Sequence, residues 1–534
     1  MTGAPFTPAC ERNFRYLSED ARRGIPAAFP FLHHDALQMK SVSPLTEIIR
    51  CTACCLGILL ISPGAALFSQ PWQEHGALKV SKNNPHEIVH ADGTRFLWFG
   101  DTGWEMIHRL NREEIDFYLE KRRQQGFNLI QTVILSEFFL LKPTNYYGDS
   151  LFTGYDPQKP AITPGSDPGN AKEYDFWDHV EYAVSRAEEK GLYLALVPSW
   201  GEWIVPREHK PLFNKSQEAY DYGWMIANRL KAYPNIIWVL GGDRHPDERK
   251  GAVDLWRAMA EGIADAVNGE KNKDGKADYS TTFMTHHSFN SSSNWFHEDA
   301  WIDCHMWGSY HDDVNNPRAW QLALKDWHLE NPKPTINGEP CYEGHNINYA
   351  LPDNGFFTST DVRIAAYWSM FSGAAGFTYG AHSVWQFADS LRKQYTNIPI
   401  CSWQEALNFP GASQLILLKK LLESYPQEPL VPDPSFLLFE QDVEHPYTPC
   451  LIASSYAFVY VPTGSPVVLK SGLIKGKKIR ASWFDPRNGS RTLIGDFPNS
   501  GTFEFNVPGI SKAVPWLKTG RGCDWVLVLE DAEN

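Results

Sequence analysis

Cysteine and runs of basic residues are both scarce in this sequence. The 534-residue chain holds nine cysteines, and the five that follow residue 69 show no Cys-x-x-Cys spacing: Cys304, Cys341, Cys401, Cys450 and Cys523. This spacing argues against a zinc site and against a disulfide framework. The net charge is −14, and without a basic run the chain lacks the footprint that nucleic-acid binding needs. We therefore expect no nucleic-acid partner.

Long apolar runs are equally rare, since only residues 51–68 form one. That run follows Arg50 and ends in the small residues at positions 64–66, an order typical of a secretory signal peptide. Its apolar core is too short for a transmembrane helix. We therefore predict a signal peptide over about residues 39–69, and a secreted or periplasmic protein with no membrane partner after cleavage.

The position of this run bears on where translation starts. A signal peptide begins near the initiator, so we expect Met39 to be the start and residues 1–38 to be an upstream extension. Residues 1–70 would then hold the extension and the signal. Two alternatives stay open, an uncleaved membrane anchor and a lipoprotein. The lipoprotein is the weaker one, because the cysteines precede the apolar core, whereas a lipidated cysteine follows it.

The remaining composition is that of a well-packed protein. Hydrophobic residues make up 43% of the chain and charged residues 21%, which favours a large core over disorder. The length fits two or three domains. Aromatic residues reach 13% and include 20 tryptophans. Tryptophan rings stack on sugars in carbohydrate clefts and also fill large barrel cores, so this content is compatible with either use.

Short apolar strands alternate with amphipathic helical stretches between about residues 78 and 425. The helical stretches include 112–126, 176–191 and 252–267. This alternation is typical of a parallel sheet, and eight units over roughly 300 residues predict a (β/α)8 TIM barrel of the α/β class. The eight predicted strands are 95–101, 128–135, 192–200, 235–243, 281–287, 301–307, 334–339 and 376–382.

The pattern changes after a proline-rich junction at 423–435. Residues 430–534 hold short strands that alternate between apolar and polar positions and are separated by turn residues. Closely spaced strands of this kind predict a C-terminal antiparallel β-sandwich domain. Its predicted strands include 450–462, 478–486, 501–508 and 523–531.

Carboxylates, histidines and aromatic residues concentrate where the predicted barrel strands end. Active sites of TIM barrels lie at the carboxyl ends of the strands, so these side chains are candidates for substrate binding. Asp101 has an alternative use as a helix N-cap. The candidates are Asp101, Trp104, Glu137, Trp200, Trp203, His286, His287, His305, Trp307, Tyr310, Tyr379 and His382.

Two carboxylates stand out from the rest, Asp243 and Glu339. They follow the fourth and seventh predicted strands, which face each other across an eight-stranded barrel. Carboxyls placed on opposite walls can act together on a glycosidic bond, one as a protonated acid and the other as an ionised nucleophile or base. Different surroundings would have to separate their pKa values. The alternative for each is a rim carboxylate that forms a salt bridge.

The histidines raise the possibility of a metal-dependent hydrolase. His286, His287 and His305 lie on adjacent predicted strands, and histidine is a common metal ligand. However, the first strand offers Asp101 where amidohydrolase-type barrels carry a His-x-His pair. We therefore predict that the histidines bind sugar hydroxyls or the nucleophile, with no metal and no organic cofactor.

Four segments in the barrel region resemble a known family. They are HEIVHADGTRFLWFGDTGWEMIHRL, IIWVLGGDRHPD, DGKADYSTTFMTHH and PTINGEPCYEG, and in this order they are similar to the DUF4038 barrels of glycoside hydrolase family 140. The segments SWFDPRNG and CDWVLVLED resemble the small β-domain that accompanies these barrels and carries a collagen-binding label. The resemblance covers about residues 78–531.

The resemblance implies an apiosidase that cleaves the apiose linking side chains to the galacturonan backbone of the pectin rhamnogalacturonan-II. It implies that Asp243 is the acid/base, that Glu339 is the nucleophile, and that configuration is retained. The wider clan carries Asn-Glu where this chain has Gly242-Asp243, so its acid is one methylene shorter.

Three alternative interpretations of the function remain open. The enzyme could hydrolyse another β-linked glycan, the barrel could be a non-catalytic glycan-binding scaffold, or a metal could carry the hydrolysis. Whether the barrel hydrolyses a glycan or only binds one, the expected partner is an oligo- or polysaccharide. The sequence leaves the oligomeric state open.

Overall fold

The computed structural model describes residues 70–137, 144–314, 316–349, 355–438, 447–509 and 522–533. The predicted signal peptide and the extension before it lie outside these ranges. All described residues belong to one unit of the chain, Ala65–Asn534. Within them, no helix is both long and apolar enough to cross a membrane.

A short N-terminal segment covers the amino-terminal end of the barrel. It consists of helix α1 (Pro71–Glu74) and an antiparallel hairpin of β1 (Leu78–Val80) and β2 (Ile88–His90). The buried Trp72 ring meets Tyr193, at the start of a barrel strand, edge-on with ring centroids 5.1 Å apart. Phe96 meets the same tyrosine at 5.4 Å. This segment therefore seals the barrel at the end away from the carboxyl ends of the strands.

Eight parallel strands form the barrel, and each of them overlaps a predicted strand. The strands are β3 (Trp98–Thr102), β4 (Leu129–Leu135), β5 (Tyr193–Ser199), β6 (Ile236–Gly241), β7 (Met284–His287), β8 (His305–Gly308), β9 (Thr335–Glu339) and β10 (Gly376–Tyr379). Their spatial order is β7-β6-β5-β4-β3-β10-β9-β8, which confirms the TIM-barrel prediction.

The two end strands of this sheet, β7 and β8, approach each other and complete the barrel. The Asp303 N–H donates to Met284 O at 2.9 Å. The Thr285 hydroxyl donates to Cys304 O at 2.7 Å. These bonds replace a regular ladder at the closure.

The helices surround the barrel, and their ends follow capping rules. The Asn111 side chain accepts from the Glu114 N–H at 2.8 Å, and Gly126 ends the same helix with φ 99°. The helices are α2 (Met106–Arg109), α3 (Arg112–Gln125), α4 (Phe176–Glu189), α5 (Ser216–Leu230), α6 (Ala252–Asn268), α7 (Ser293–Phe296), α8 (Arg318–Trp327), α9 (Ser359–Phe371), α10 (His382–Trp385), α11 (Trp403–Ala406) and α12 (Pro410–Glu423), with 3-10 turns at Gly201–Trp203, Tyr279–Thr281, Ile347–Tyr349 and Pro434–Phe436.

Two antiparallel sheets follow the barrel, as the sequence predicts. Their strands are β11 (Val431–Pro432), β12 (Cys450–Ile452), β13 (Tyr456–Val461), β14 (Val467–Lys470), β15 (Lys478–Phe484), β16 (Arg491–Pro498), β17 (Thr502–Phe505) and β18 (Trp525–Asp531). The larger sheet has the order β11-β12-β13-β18-β15-β16, and β14 pairs with β17 in the smaller sheet.

Strand β13 shows how this domain joins the barrel. Alternate residues such as Val459 enter the core between the two sheets, while their neighbours face the barrel helices. Tyr460 stacks on Tyr367 of α9 with ring centroids 4.5 Å apart, and Phe458 stacks on Phe371 at 5.7 Å. The larger sheet therefore buries both faces, one of them against the barrel.

Candidate active site

The loop after β6 positions Asp243 at the carboxyl end of the barrel. Gly241, Gly242 and Asp243 have positive φ angles of 88°, 147° and 36°, a region that favours glycine. Neither glycine has room for a side chain. A Cβ on Gly241 would lie 2.3 Å from His287 O, and one on Gly242 would lie 2.3 Å from the Trp200 ring. The Gly-Gly-Asp sequence therefore builds a tight turn against the neighbouring strands.

Glu339 ends β9, and a β-bulge sets its direction. Gly338 is an extra residue on β9, because Asn337 pairs with Trp307 and Glu339 pairs with Gly308. Without this bulge Glu339 would share the face of Asn337, whose amide bonds to helix α9 at 3.0 Å. The bulge turns the Glu339 carboxylate toward the barrel interior instead.

Asp243 and Glu339 converge on one point beside His287. One ligand atom from each of the three lies within 4.8 Å of the other two. His287 Nε2 lies 3.1 Å from Glu339 Oε2, and His311 Nε2 lies 3.5 Å from Glu339 Oε1. The Tyr310 hydroxyl donates to Asp243 Oδ1 at 3.0 Å. Each carboxyl therefore has its own set of partners, imidazoles for one and a phenol for the other.

These partners separate the pKa values of the two carboxyls. Burial, reinforced by the nearby Glu339 carboxylate, raises the pKa of Asp243 to about 6. Burial also acts to raise the pKa of Glu339, but the imidazoles of His287 and His311 outweigh it and hold that pKa at about 2. Between these values Asp243 keeps its proton while Glu339 is ionised. Such a split is the one that acid and nucleophile roles need.

The tautomer of His311 follows from its backbone contact. Its Nδ1 accepts from the Tyr342 N–H at 3.3 Å. In a neutral imidazole the other nitrogen then carries the hydrogen, so the Nε2–H of His311 faces Glu339. The ring stacks on His345 with centroids 4.3 Å apart. His311 is therefore fixed as a donor to the carboxylate.

Aromatic rings line the barrel mouth beside these groups. The Trp104 ring meets Trp200 at 5.1 Å and His287 at 5.5 Å, both nearly edge-on. The Trp104 Nε1–H donates to the Tyr342 hydroxyl at 3.0 Å. Burial and the Glu339 carboxylate raise the pKa of Tyr342 well above its ordinary value. The wall can pack against a sugar ring.

A guanidinium links two further carboxylates to the Asp243 turn. Arg244 Nε donates to Glu202 Oε2 at 2.6 Å, and its Nη2 binds the same oxygen. Arg244 Nη2 also lies 3.5 Å from Glu137 Oε2. Burial, followed by the Asp243 carboxylate, raises the pKa of Glu137. Glu137 can therefore offer both a donor and an acceptor to a sugar hydroxyl.

The structure brings about half of the predicted substrate-binding residues to this site. Trp203 lies just behind it, where its Nε1–H donates to Ser136 O at 3.1 Å and braces the turn that carries Glu202. The residues at the barrel mouth, besides Asp243 and Glu339, are Trp104, Glu137, Trp200, His287 and Tyr310.

Strand β8 places its two predicted residues away from the site. His305 lies 3.0 Å from His297 Nδ1 through its Nε2. The Trp307 Nε1–H donates to the Thr335 hydroxyl at 2.7 Å, which in turn donates to Asp326 of α8. Alternate residues of a strand share one face, and here that face is turned toward the helices.

His286 and Asp101 also face the surrounding helices. The His286 ring meets Trp256 of α6 at 5.2 Å. Asp101 accepts from the Tyr118 hydroxyl at 2.5 Å and from Arg122 Nε at 2.7 Å, both on α3. Asp101 therefore joins the sheet to a helix as one half of a buried ion pair.

Tyr379 and His382 lie farther from the two carboxyls than the residues at the barrel mouth do. The Tyr379 hydroxyl donates to Glu343 Oε2 at 2.7 Å, and the same oxygen accepts from the Gly411 N–H at the start of α12 at 3.0 Å. His382 meets His345 edge-on at 4.6 Å, and His345 stacks on His311. His382 is therefore two imidazole rings away from Glu339.

Four residues of the site were not among the predicted ones: Glu202, Arg244, His311 and Tyr342. Each lies within four residues of a predicted position in the sequence. The sequence signal that could have identified them is that they neighbour the predicted residues Trp203, Asp243, Tyr310 and Glu339. Loop conformations bring these four side chains to the site, and the pattern of predicted strands does not determine those conformations.

Asp243, His287 and Glu339 also reach the number of ligands that a catalytic metal site uses. Tyr310 already donates to Asp243, and two imidazoles flank Glu339. The separated pKa values suit proton transfer and nucleophilic attack. The same arrangement can therefore serve an acid and a nucleophile without a metal.

Comparisons with known proteins bear on the chain as a whole. Residues 82–428 match the family model described as "Apiosidase-like, catalytic domain", and residues 431–530 match "Putative collagen-binding domain of a collagenase". A solved structure described as "Glycoside hydrolase" is 30% identical with a TM-score of 0.73, over 87% of this chain and 99% of that one. A glycoside hydrolase family 5 structure from Bacteroides vulgatus ATCC 8482 is 28% identical with a TM-score of 0.74, over 87% and 95%. No curated protein matches the sequence.

Proposed function

The chain belongs to the apiosidase-like family of glycoside hydrolases. From that premise we propose that it is an apiosidase that acts on pectin rhamnogalacturonan-II, at the apiose that links side chains to the backbone, by a retaining mechanism. Asp243 is the acid/base and Glu339 the nucleophile. The observation that carries this assignment is the convergence of two carboxyls within 4.8 Å whose pKa values are shifted in opposite directions.

The first step breaks the glycosidic bond. The Glu339 carboxylate attacks the anomeric carbon while the Asp243 proton passes to the leaving oxygen. The leaving glycan departs as a neutral alcohol, and the sugar is held as an ester on Glu339. Positive charge develops on the sugar ring in the transition state, and the ionised Glu339 stabilises it.

The second step releases the sugar. Asp243, now ionised, takes a proton from water, and the water oxygen attacks the anomeric carbon. The bond to Glu339 breaks, and its carboxylate is restored beside His287 and His311. Two inversions at one carbon leave the configuration unchanged. The Tyr310 hydroxyl, 3.0 Å from Asp243, stabilises the ionised form that this step needs.

The separation of the carboxyls supports retention over inversion. Retaining enzymes hold their carboxyls about 5 Å apart, whereas inverting enzymes leave about 6.5–9.5 Å for a water molecule. Side-chain oxygens of Asp243 and Glu339 lie within 4.8 Å of each other. This separation agrees with the retaining class.

Support for the substrate comes from the family and from the chemistry of the barrel mouth. Trp104 and Trp200 offer apolar ring surface, and Glu137 offers a polar group for hydroxyls. This combination suits a neutral sugar. A polymeric plant substrate also agrees with our proposal that the protein is exported as a secreted or periplasmic enzyme. Fractionation of cells that express the chain from Met39 would test the export.

Product analysis tests the substrate and the stereochemistry together. The enzyme is incubated with rhamnogalacturonan-II oligosaccharides and, as a matched control, with other β-linked plant glycans, and products are followed by NMR. We expect a product with newly exposed apiose only from the first group, formed with the substrate's anomeric configuration. Cleavage only in the control group would overturn the substrate. A first-formed anomer of opposite configuration would overturn retention.

A further inference from the structure

Two turns at the barrel mouth interlock. The turn at Gly201–Trp203 follows β5, and the turn that carries Asp243 follows β6. A Cβ on Gly201 would lie 2.0 Å from Gly242 O, and the ring of Trp200 already fills the space above Gly242. The first turn is therefore shaped to receive the second at backbone contact.

Arg244 fastens these turns together. Its guanidinium binds Glu202 on the first turn through Nε and Nη2, and its Nη1 donates to Asp243 O at 3.2 Å on the second. Its own N–H donates to Gly242 O at 2.5 Å across Asp243. Asp243 has a φ of 36°, a strained conformation that persists only where the surrounding structure imposes it.

The first turn is also held by contacts within its own loop. Glu202 Oε1 accepts from the Arg207 N–H at 2.8 Å, and His209 Nε2 lies 3.6 Å from the same oxygen. Both carboxylate oxygens of Glu202 are thus engaged. The side chain is buried, so it cannot exchange Arg244 for water.

The charged and titratable groups that face Asp243 come from six elements. Glu339 and His287 approach from β9 and β7, and Glu137 from the end of β4. Tyr310 approaches from the loop after β8, Tyr342 from the loop after β9, and Arg244 from its own turn. Arg244 is the one permanent cation in that set. Glu202 is the carboxylate that binds it most closely.

We propose that Glu202 is a positioning residue for the acid: it anchors the Arg244 guanidinium that braces the Asp243 turn, and it offsets the positive charge that would otherwise draw the proton from Asp243. Glu202 acts through Arg244 and need not touch the substrate. This inference rests on the proposed function, because it assumes that Asp243 must be protonated to act.

This role predicts that two substitutions, Glu202→Gln and Arg244→Met, shift the alkaline limb of the kcat/KM pH profile in opposite directions. In Glu202→Gln the charge of Arg244 is no longer offset, so the alkaline limb of kcat/KM should move down by about one pH unit. In Arg244→Met the cation is lost, so the limb should move up by about one pH unit. A residue with a purely structural role would lower activity without moving the limb in a charge-dependent direction.

Two further variants keep the test interpretable. Arg244→Lys preserves the charge but cannot bind Glu202 and the turn together, so kcat should fall while the limb stays near its wild-type pH. Glu248→Gln is the matched control, because Glu248 lies in the same loop, pairs with His245 at 3.6 Å and is half-exposed. Its limb should not move. Limbs of Glu202→Gln and Arg244→Met that stay in place or move in the same direction would overturn the proposal.

A second readout does not depend on the substrate. Folding raises the pKa of Asp243 from 3.8 to about 6, so the folded state binds the proton more tightly and stability falls as pH rises through that window. Glu202→Gln should reduce this fall in Tm and Arg244→Met should enlarge it. Both differences should shrink in an Asp243→Asn background, where only the carboxylates that contact Arg244 can still contribute to them. If the wild type cleaves no glycoside, the proposed function fails, and these Tm differences still decide the role of Glu202.

Discussion

Replacing Arg363 with methionine should destabilise the whole molecule, because this side chain joins the barrel to the β-domain by a buried ion pair. Arg363 lies on α9, and Asp524 directly precedes β18. Arg363 Nε and Nη2 bind the two Asp524 carboxylate oxygens at 2.9 and 2.8 Å. The arginine side chain is 2% exposed and the aspartate 0%.

The expected loss is large relative to the total stability. Removing one partner of a buried pair leaves an uncompensated charge and costs about 3–5 kcal/mol, against about 5–15 kcal/mol for the unfolding of a typical domain. In the variant, Asp524 would keep the Tyr460 hydroxyl at 3.2 Å as a donor. One neutral hydrogen bond offsets only part of that loss.

The loss should also depend on pH. Burial acts to raise the pKa of Asp524, but Arg363 outweighs it and keeps the pKa below its ordinary value. The pair therefore contributes stability above the unfolded pKa of about 4, and that contribution is lost as pH falls below it. The difference between wild type and Arg363→Met should shrink in the same direction.

Urea unfolding followed by tryptophan fluorescence and by far-UV circular dichroism measures this loss. Arg480→Met is the matched control, because Arg480 pairs with Asp496 on the surface and both side chains are more than 40% exposed; surface pairs contribute about 0–1 kcal/mol. The double variant Arg363→Met/Asp524→Asn should lose less than the single one. If Arg363→Met were no less stable than Arg480→Met, the ion pair would not hold the domains together.

Three other outcomes follow from the same structure. Tyr310→Phe removes a hydrogen bond to ionised Asp243 that contributes about 1.5–3 kcal/mol. The alkaline limb of the kcat/KM profile should therefore move to higher pH, by about one to two pH units. A limb at the wild-type pH would contradict the role of that bond. Deleting residues 430–534 uncovers aromatic rings of α9 such as Tyr367, so the barrel should lose solubility or melt at lower temperature. A stable, active barrel would show that it does not depend on the β-domain for its stability. Treatment with a chelator should leave turnover unchanged, and a loss restored by added metal would favour a metal-dependent hydrolase.

The barrel could be predicted from sequence because each strand is a short apolar run followed by polar residues. The pairing of Asp243 with Glu339 followed from strand order alone. The strand ends were harder, since the predicted fourth strand ran to residue 243 while β6 ends at Gly241. The two residues beyond it form the turn, because Gly242 and Asp243 have positive φ.

Side-chain direction was the main quantity that the sequence left undetermined. His286 and His287 are adjacent, and only register decides that His287 faces the site while His286 faces α6. Glu339 reaches the interior because of a bulge at Gly338. His311 enters from a loop. These placements depend on contacts between distant segments, which periodicity does not encode.

Turnover of the two carboxylate variants tests the central claim most directly. We measure kcat/KM for wild type, Asp243→Asn and Glu339→Gln on rhamnogalacturonan-II oligosaccharides, with Asp247→Asn as a control from the same loop as Asp243. General acid catalysis contributes about 10²–10⁴-fold, so Asp243→Asn should lose at least that order. Glu339→Gln should lose as much or more, because it removes the nucleophile. Wild-type turnover in either variant, with the control also active, would contradict the assignment of this pair.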